Sequence, residues 1–302
     1  MLKPSDQPRL LALCLILCFA ASGCSNAVRS TDDLSQAVKT AQPLNNDPRN
    51  FQFAIMADRE GGGRPGVFED AVSKVNLLQP EFVLCVGDLI AGYTERRGNT
   101  DQQAELNRQW DEFNPIVAKL QMPFFYLPGN HDISNALQAD DYQRRFGRSW
   151  YHFRYRDVLF LCLNTEDPPA SQFSAEQIAF VSDTLAKNAD VRWTFVFLHK
   201  PMWIEESGKK AWEQVEGFLQ NRPCTVFGGH QHTYRKTERN GQKYFLLATT
   251  GGASGLAGPQ AGQFDHVVWV TMTDQGPVLA NLLLGGILDE DLRGAQEAKE
   301  GK

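Results

Sequence analysis

Pro123-Phe124-Phe125-Tyr126-Leu127-Pro128-Gly129-Asn130-His131-Asp132 is an apolar run that stops on a polar one. A short apolar run bounded by turn residues reads as a buried strand. Its end presents an amide, an imidazole and a carboxylate in succession. The same arrangement recurs on both sides of it. Phe51 to Ala57 stops at Asp58-Arg59-Glu60, and Phe82 to Val86 stops at Gly87-Asp88. Thr194 to Leu198 stops at His199, and Thr225 to Phe227 stops at Gly228-Gly229-His230-Gln231-His232. Open α/β sheets carry their sites at the carboxyl ends of strands, so fold and chemistry are read from the same five places.

The segments between these strands carry helical and hairpin signals. Pro65 opens a helical pattern through Val67, Phe68, Ala71, Val72, Val75 and Leu78, since proline suits the first turn of a helix. Residues 102–120 read as a second helix. Ser174, with Gln177 as its capping-box partner, starts a third that runs to Lys187, and a fourth begins near Lys209. Tyr151 to Tyr155 and Val158 to Leu163 form a hairpin turning at Arg156-Asp157. Arg239-Asn240-Gly241-Gln242 marks another, because Asn-Gly suits a type I′ turn, and a further one turns near Asp274-Gln275-Gly276. The early chain alternates strand and helix and the late chain is strand-rich, which predicts a mixed sheet core with helices outside. Residues 93–110, 133–149 and 202–210 are expected to supply loops around the site.

Four of the six histidines fall in the five polar endings. Carboxylate oxygen, amide oxygen and imidazole nitrogen together suit borderline metals such as Mn, Fe or Zn. No cysteine joins the set, which argues against a structural zinc finger. The glycine before several of these residues lets backbone approach closely.

The order Asp, Gly-Asp, Gly-Asn-His-Asp, His, Gly-His-x-His over residues 58–232 resembles the calcineurin-like metallophosphoesterase superfamily. The resemblance implies an α/β fold, a four-layer α/β/β/α sandwich with mixed sheets, and two metal ions, divalent or mixed-valence, at the strand ends. It implies that Asp88 bridges both ions, that Asp58 and His232 bind the first, and that Asn130, His199 and His230 bind the second. His131 then acts from outside the metal shell as general acid or transition-state stabiliser, and Asp132 either orients His131 or caps the turn. The implied reaction is hydrolysis of a phosphate mono- or diester, a small-molecule substrate, by a metal-activated water. A metal- or phosphate-binding envelope protein without turnover is the alternative.

One position departs from the family. Its first motif is usually Asp-x-His, and here the third residue is Glu60, which is either a further ligand of the first metal or a loop glutamate. Arg59 and Arg64 read as solvated loop arginines or as phosphate contacts. Gly251 to Gly255 either lines the pocket or joins strands, and Trp203 either packs or walls the pocket mouth. His152 and His266 are left outside the set.

The bulk properties bound the remainder. Of 302 residues, 42% are apolar, which is enough for one large core or at most two. A formal net charge of -6 gives no sign of a nucleic-acid surface, and phosphate charge would have to be offset locally. Lys3 and Arg9 precede an apolar run of twelve residues from Leu10 to Ala21, followed by Ala21-Ser22-Gly23-Cys24. This reads as a signal peptide over 1–23 with a lipobox, lipidation at Cys24 and a flexible tether over 24–50. The folded domain is expected over 51–288 and a charged tail over 289–302. On this reading the protein is exported from a bacterial cell and anchored to a membrane by lipid. Cys85, Cys162 and Cys224 lie in apolar runs and are read as buried free thiols. Nothing in the sequence sets an oligomeric state.

Overall fold

The first strand, β1 (Phe51–Met56), has all its apolar side chains buried, so it must be covered on both faces. In the computed structural model, which describes residues 44–97, 101–167 and 170–287, the covering is done by helices on one side and a second sheet on the other. The predicted leader, Cys24, most of the tether and the charged tail lie outside the described residues.

One sheet has five strands in the order β11-β10-β1-β2-β3, with β2 (Val83–Cys85), β3 (Phe124–Phe125), β10 (His266–Thr273) and β11 (Gly276–Leu283). The strands β1, β2 and β3 are parallel, and β10 runs antiparallel to β1. The other sheet has six strands in the order β4-β5-β6-β7-β9-β8. Here β5 (Val158–Cys162), β6 (Trp193–Phe197), β7 (Cys224–Gly228) and β9 (Gln242–Leu246) are parallel. Its edges, β4 (Tyr151–Tyr155) and β8 (Arg235–Arg239), run antiparallel as hairpin partners.

Alternation along strands divides the core into layers. Val158, Phe160 and Cys162 of β5 join the cluster that includes Phe51 and Phe53, whereas Leu159, Leu161 and Leu163 join a second cluster. That second cluster holds Val181 and Leu185 of α4 (Ala175–Lys187), with Trp212 and Val215 of α5 (Glu206–Phe218). On the far side of the first sheet lie Phe68, Val72 and Val75 of α1 (Val67–Leu78), and Trp110 and Phe113 of α2 (Gln102–Val117). The result is the expected four-layer α/β/β/α sandwich with mixed sheets. Cys85, Cys162 and Cys224 are free and buried, as read from the sequence.

Some boundaries differ from the sequence reading. Gly66, at φ 83, sits before α1, so the helix starts at Val67 rather than Pro65. The helix expected near Lys209 starts at Glu206, and α2 stops at Val117. The stretch 133–149, expected as loop, contains a further helix, α3 (Ala136–Phe146). Asn135 caps it by accepting from the Gln138 backbone N–H at 3.0 Å.

The two sheets meet through aromatic rings. Phe160, fully buried, stacks on Phe153 at 4.7 Å and meets Phe53 and Phe82 of the facing sheet edge-on at 5.2 and 5.3 Å. Phe160→Ala removes this bridge and leaves a cavity, so it should destabilise the chain by about 3–5 kcal/mol. Urea denaturation followed by tryptophan fluorescence measures that loss, and a change under about 1 kcal/mol contradicts the role given to the ring.

Candidate metal centre

Parallel strands of both sheets deliver their carboxyl ends to one rim. From the first sheet, β1 leads to Asp58, β2 to Asp88, and β3 to Asn130 and His131. From the second, β6 leads to His199, and β7 to His230 and His232. Two groups of side chains converge there, each with its candidate ligand atoms within 4.8 Å of one another. One is Asp88, His199 and His230, and the other is Asp58, Asp88 and His232. Asp88 belongs to both. Asn130 adjoins the first group, with its Oδ1 2.9 Å from His199 Nε2.

The carboxylates are deeply buried, Asp58 at 0% and Asp88 at 2% exposure, and a buried carboxylate is costly unless it is met by donors or cations. Asp88 Oδ1 accepts from the His131 backbone N–H at 2.9 Å, and Oδ2 lies 3.2 Å from His199 Nε2. Asp58 Oδ2 accepts from the His230 backbone N–H at 2.7 Å and lies 3.2 Å from His232 Nε2. Asp58 Oδ1 is buried with no hydrogen-bond partner. A buried carboxylate that turns one oxygen to an imidazole and leaves the other without a donor is short of positive charge, which a cation would supply.

The imidazoles are oriented to match. Nδ1 lies 2.8 Å from the Val86 carbonyl in His199 and 2.7 Å from the Ala253 carbonyl in His232, leaving each Nε2 toward the carboxylates. Imidazole ligands of metals characteristically spend their other ring nitrogen on a carbonyl or carboxylate in this way. His230 Nε2 lies 3.8 Å from Glu205 Oε1. The donor set of carboxylate, imidazole and amide oxygen therefore fits a borderline metal ion in each group.

Titration follows the same geometry. Burial pushes the Asp88 carboxyl up, but the charge and hydrogen bond of His199 outweigh it and hold it down at about 2. Burial pulls His199 down, and Asp88 more than reverses this, to about 10. Burial, helped by the nearby His199 charge, lowers His230 to about 4, so its ring stays neutral with a lone pair to offer.

Other predicted residues fall as follows. His131 stands at the rim, its Nδ1 2.8 Å from the Ala91 carbonyl. Asp132 makes its hydrogen bonds to the backbone N–H groups of Leu89, Ile90 and Gly129, at 2.8 to 3.0 Å. Both of its oxygens are thus engaged within the turn, and the group within hydrogen-bond reach of His131 Nδ1 is the Ala91 carbonyl. Burial and the adjacent Asp88 charge raise the Asp132 carboxyl, against the pull of those donors. Glu60 pairs with Arg59 at 2.8 Å and stands outside both ligand groups. Arg59 also donates to the Leu89 carbonyl, and Arg64 pairs with Asp265 and donates to the Gly252 carbonyl, so neither is a solvated loop arginine. Trp203 is buried against Trp212 and Tyr244, which makes it core. The Gly251–Gly255 stretch reaches the site from behind His232, through the Ala253 carbonyl on Nδ1. Tyr93, which accepts from Asn130 Nδ2 at 2.8 Å, and Glu205, beside His230, also stand at the site, and neither belongs to a motif.

Residues 51–234 match the model of a family described as calcineurin-like phosphoesterase. Serine/threonine-protein phosphatase CPPED1 of Homo sapiens is 28% identical over 187 residues, which is 54% of this chain and 58% of that protein. Purple acid phosphatase 5 of Arabidopsis thaliana is 25% identical over 220 residues, 67% of this chain and 48% of that protein. The chain thus spans about half the length of the curated relatives it matches. Among solved structures, purple acid phosphatase PPD1 from yellow lupin (Lupinus luteus) shares the fold with a TM-score of 0.60 at 16% identity, covering 80% of this chain and 53% of that one. PhoD does so with a TM-score of 0.57 at 12% identity, covering 82% and 72%.

Glycine is required beside the ligands. A Cβ at Gly129 would overlap Asp88 Oδ1, and one at Gly229 would overlap Asp58 Oδ1, whereas one on Gly217 of α5 meets nothing within 4 Å. Gly129→Ala and Gly229→Ala should each lower Mn or Zn bound per chain, by roughly the 10–100-fold in affinity seen when a metal shell is disturbed. Gly217→Ala should leave it unchanged. Elemental analysis after dialysis checks this, and equal metal content in all three variants would contradict the assigned centre.

Proposed function

The chain belongs to the calcineurin-like phosphoesterase family, and on that premise we propose that it hydrolyses phosphate mono- or diesters with a water activated at two metal ions. The observation that carries this reading is the place of Asp88 in both ligand groups. Asp88 would hold both ions, Asp58 and His232 the first, and Asn130, His199 and His230 the second. Mn, Fe or Zn suits these donors. Ions held there supply positive charge against the phosphoryl oxygens and lower the pKa of a bound water.

The chain's own residues complete the chemistry. An added Cβ at Gly61 would lie 3.7 Å from His131 Nε2 and 2.8 Å from His232 Cε1, so the His131 ring faces the same space as the ligands. With Nδ1 tied to the Ala91 carbonyl, Nε2 is the atom left to meet substrate. A proton on Nε2 can pass to the departing alkoxide, which is general acid catalysis. Metal binding alone has no need of His131, so this residue separates turnover from simple binding. No covalent intermediate with the chain is required.

Release of p-nitrophenol from p-nitrophenyl phosphate or its bis ester should need Mn or Zn, stop on chelation and return on adding metal. His131→Ala should keep its metals and lose about 10²–10⁴-fold in kcat. Activity that survives chelation, or survives Asp88→Asn combined with His230→Ala, rules the mechanism out. An unchanged rate in His131→Ala would remove the role given to that residue, and a wild-type chain that holds its metals yet releases no p-nitrophenol would favour a binding protein.

We extend the proposal to location, on the leader sequence alone: export, then lipid attachment at Cys24. Bacterial expression with a labelled fatty acid should mark the wild-type chain and leave Cys24→Ser unmarked. Label on both chains, or on neither, removes the anchor.

A further inference from the structure

The loop after Asp88 makes contacts through Tyr93 that the proposed reaction does not use. Tyr93 Oη accepts a hydrogen bond from Asn130 Nδ2 at 2.8 Å. An amide held at its nitrogen is also held at its oxygen, and Asn130 Oδ1 faces His199 Nε2 at 2.9 Å. Turned the other way, the amide would present its NH2 group there, which has no lone pair for a cation. The Tyr93 ring also meets the His131 ring edge-on, with centroids 4.8 Å apart and planes at 82°. Two residues earlier in the same loop, the Ala91 carbonyl holds His131 Nδ1.

This loop is clamped in an unfavourable backbone shape. Tyr93 has φ 48, in the left-handed region, where a bulky residue persists only if its surroundings over-determine it. Gly92 precedes it at φ 54, and a Cβ there would overlap the His131 carbonyl. The Gly92 N–H donates to Gln109 Oε1 at 2.7 Å, and the Gln109 side chain, buried on α2, bonds Glu105 through Nε2. The loop is thus pinned between α2 and the turn that carries Asn130 and His131.

We infer that Tyr93 is a positioning residue for the second ion, its phenol oxygen holding the Asn130 amide with Oδ1 toward the ligand group and its ring seating His131. The inference rests on the two-metal reading above. It differs from simple packing in a way that can be measured, because packing does not depend on the Asn130 amide.

Wild-type chain, Tyr93→Phe, Asn130→Ala and the double variant, each stripped by chelator, are titrated with Mn²⁺ in a calorimeter. The phenylalanine keeps the ring, and thermal melting confirms that each variant is folded. Tyr93→Phe should weaken one of the two binding events roughly tenfold and leave the other unchanged. Added to Asn130→Ala, it should cause no further loss, since the amide it positions is gone. With the bis ester as substrate, kcat should fall more than KM changes. An unchanged isotherm, an equal loss at both sites, or the same tenfold loss in the Asn130→Ala background overturns the inference while leaving the two-metal reading standing. A wild-type chain that takes up no Mn²⁺ overturns both.

Discussion

Two carboxylates, Asp58 and Asp88, are held almost out of contact with water and within one group of ligand atoms. Removing a carboxylate from water costs several kcal/mol even after the protein relaxes, and two of them repel. Such a pair is stable only where positive charge and N–H donors are supplied from all sides. The architecture around the rim answers this demand. The His131 and His230 backbone N–H groups point at the two carboxylates, and His199 and His232 bring their ring nitrogens to 3.2 Å. What remains unanswered is Asp58 Oδ1, which has no donor, so the carboxylate keeps charge that a cation in its ligand group would offset.

Supplying donors from two sheets at once constrains the backbone. Asp88, His230 and His232 all have positive φ, at 56, 76 and 52. Conformations of this kind cost of order 1–3 kcal/mol each and survive only when their surroundings dictate them. Here the surroundings are strand ends already fixed in register. The Asp88 carbonyl accepts from the Arg59 and Glu60 N–H groups, and the Asp58 carbonyl accepts from those of Thr250 and Gly252. The loops are therefore stitched to one another across the rim, and the aromatic layer below keeps the sheets that bear them in place. Rigidity built this way holds ligand atoms ready and leaves little to rearrange when an ion arrives.

Much of this was legible in the sequence, and the reason is chemical. Candidate ligands are side chains of few types, so Asp58, Asp88, Asn130, His199, His230 and His232 stand out, and the apolar runs before them mark the strands. What orients the ligands is mostly backbone. The carbonyls of Val86, Ala91 and Ala253 fix three imidazoles, yet valine and alanine carry no mark of that duty. Asp132 had equal claims as a turn cap and as a partner of His131, and only the path of the turn decides between them. The helix α3 is hard to read in the sequence because ALQADDYQRRF offers few apolar positions. Its start was nonetheless written in Asn135 and Gln138, a cap and the residue three positions on.

The departure at Glu60 takes its meaning from its neighbour. Arg59 sits directly after a ligand and would bring a guanidinium to the rim. Glu60 takes that charge at 2.8 Å, the Leu89 carbonyl takes another N–H, and the guanidinium lies 5.6 Å over the Phe113 ring. The pair thus ties the loop after β1 to the loop after β2 and to α2, and its carboxylate is already engaged. This leaves the two halves of the centre unequal. Among the described residues, the half around His199 and His230 has Asn130 beside it as a further oxygen donor, whereas the half around Asp58 and His232 has two carboxylates, its own and the shared Asp88. On the proposed two-metal reading, the Asp58 half would hold its ion through more negative charge and the other half through more donor atoms.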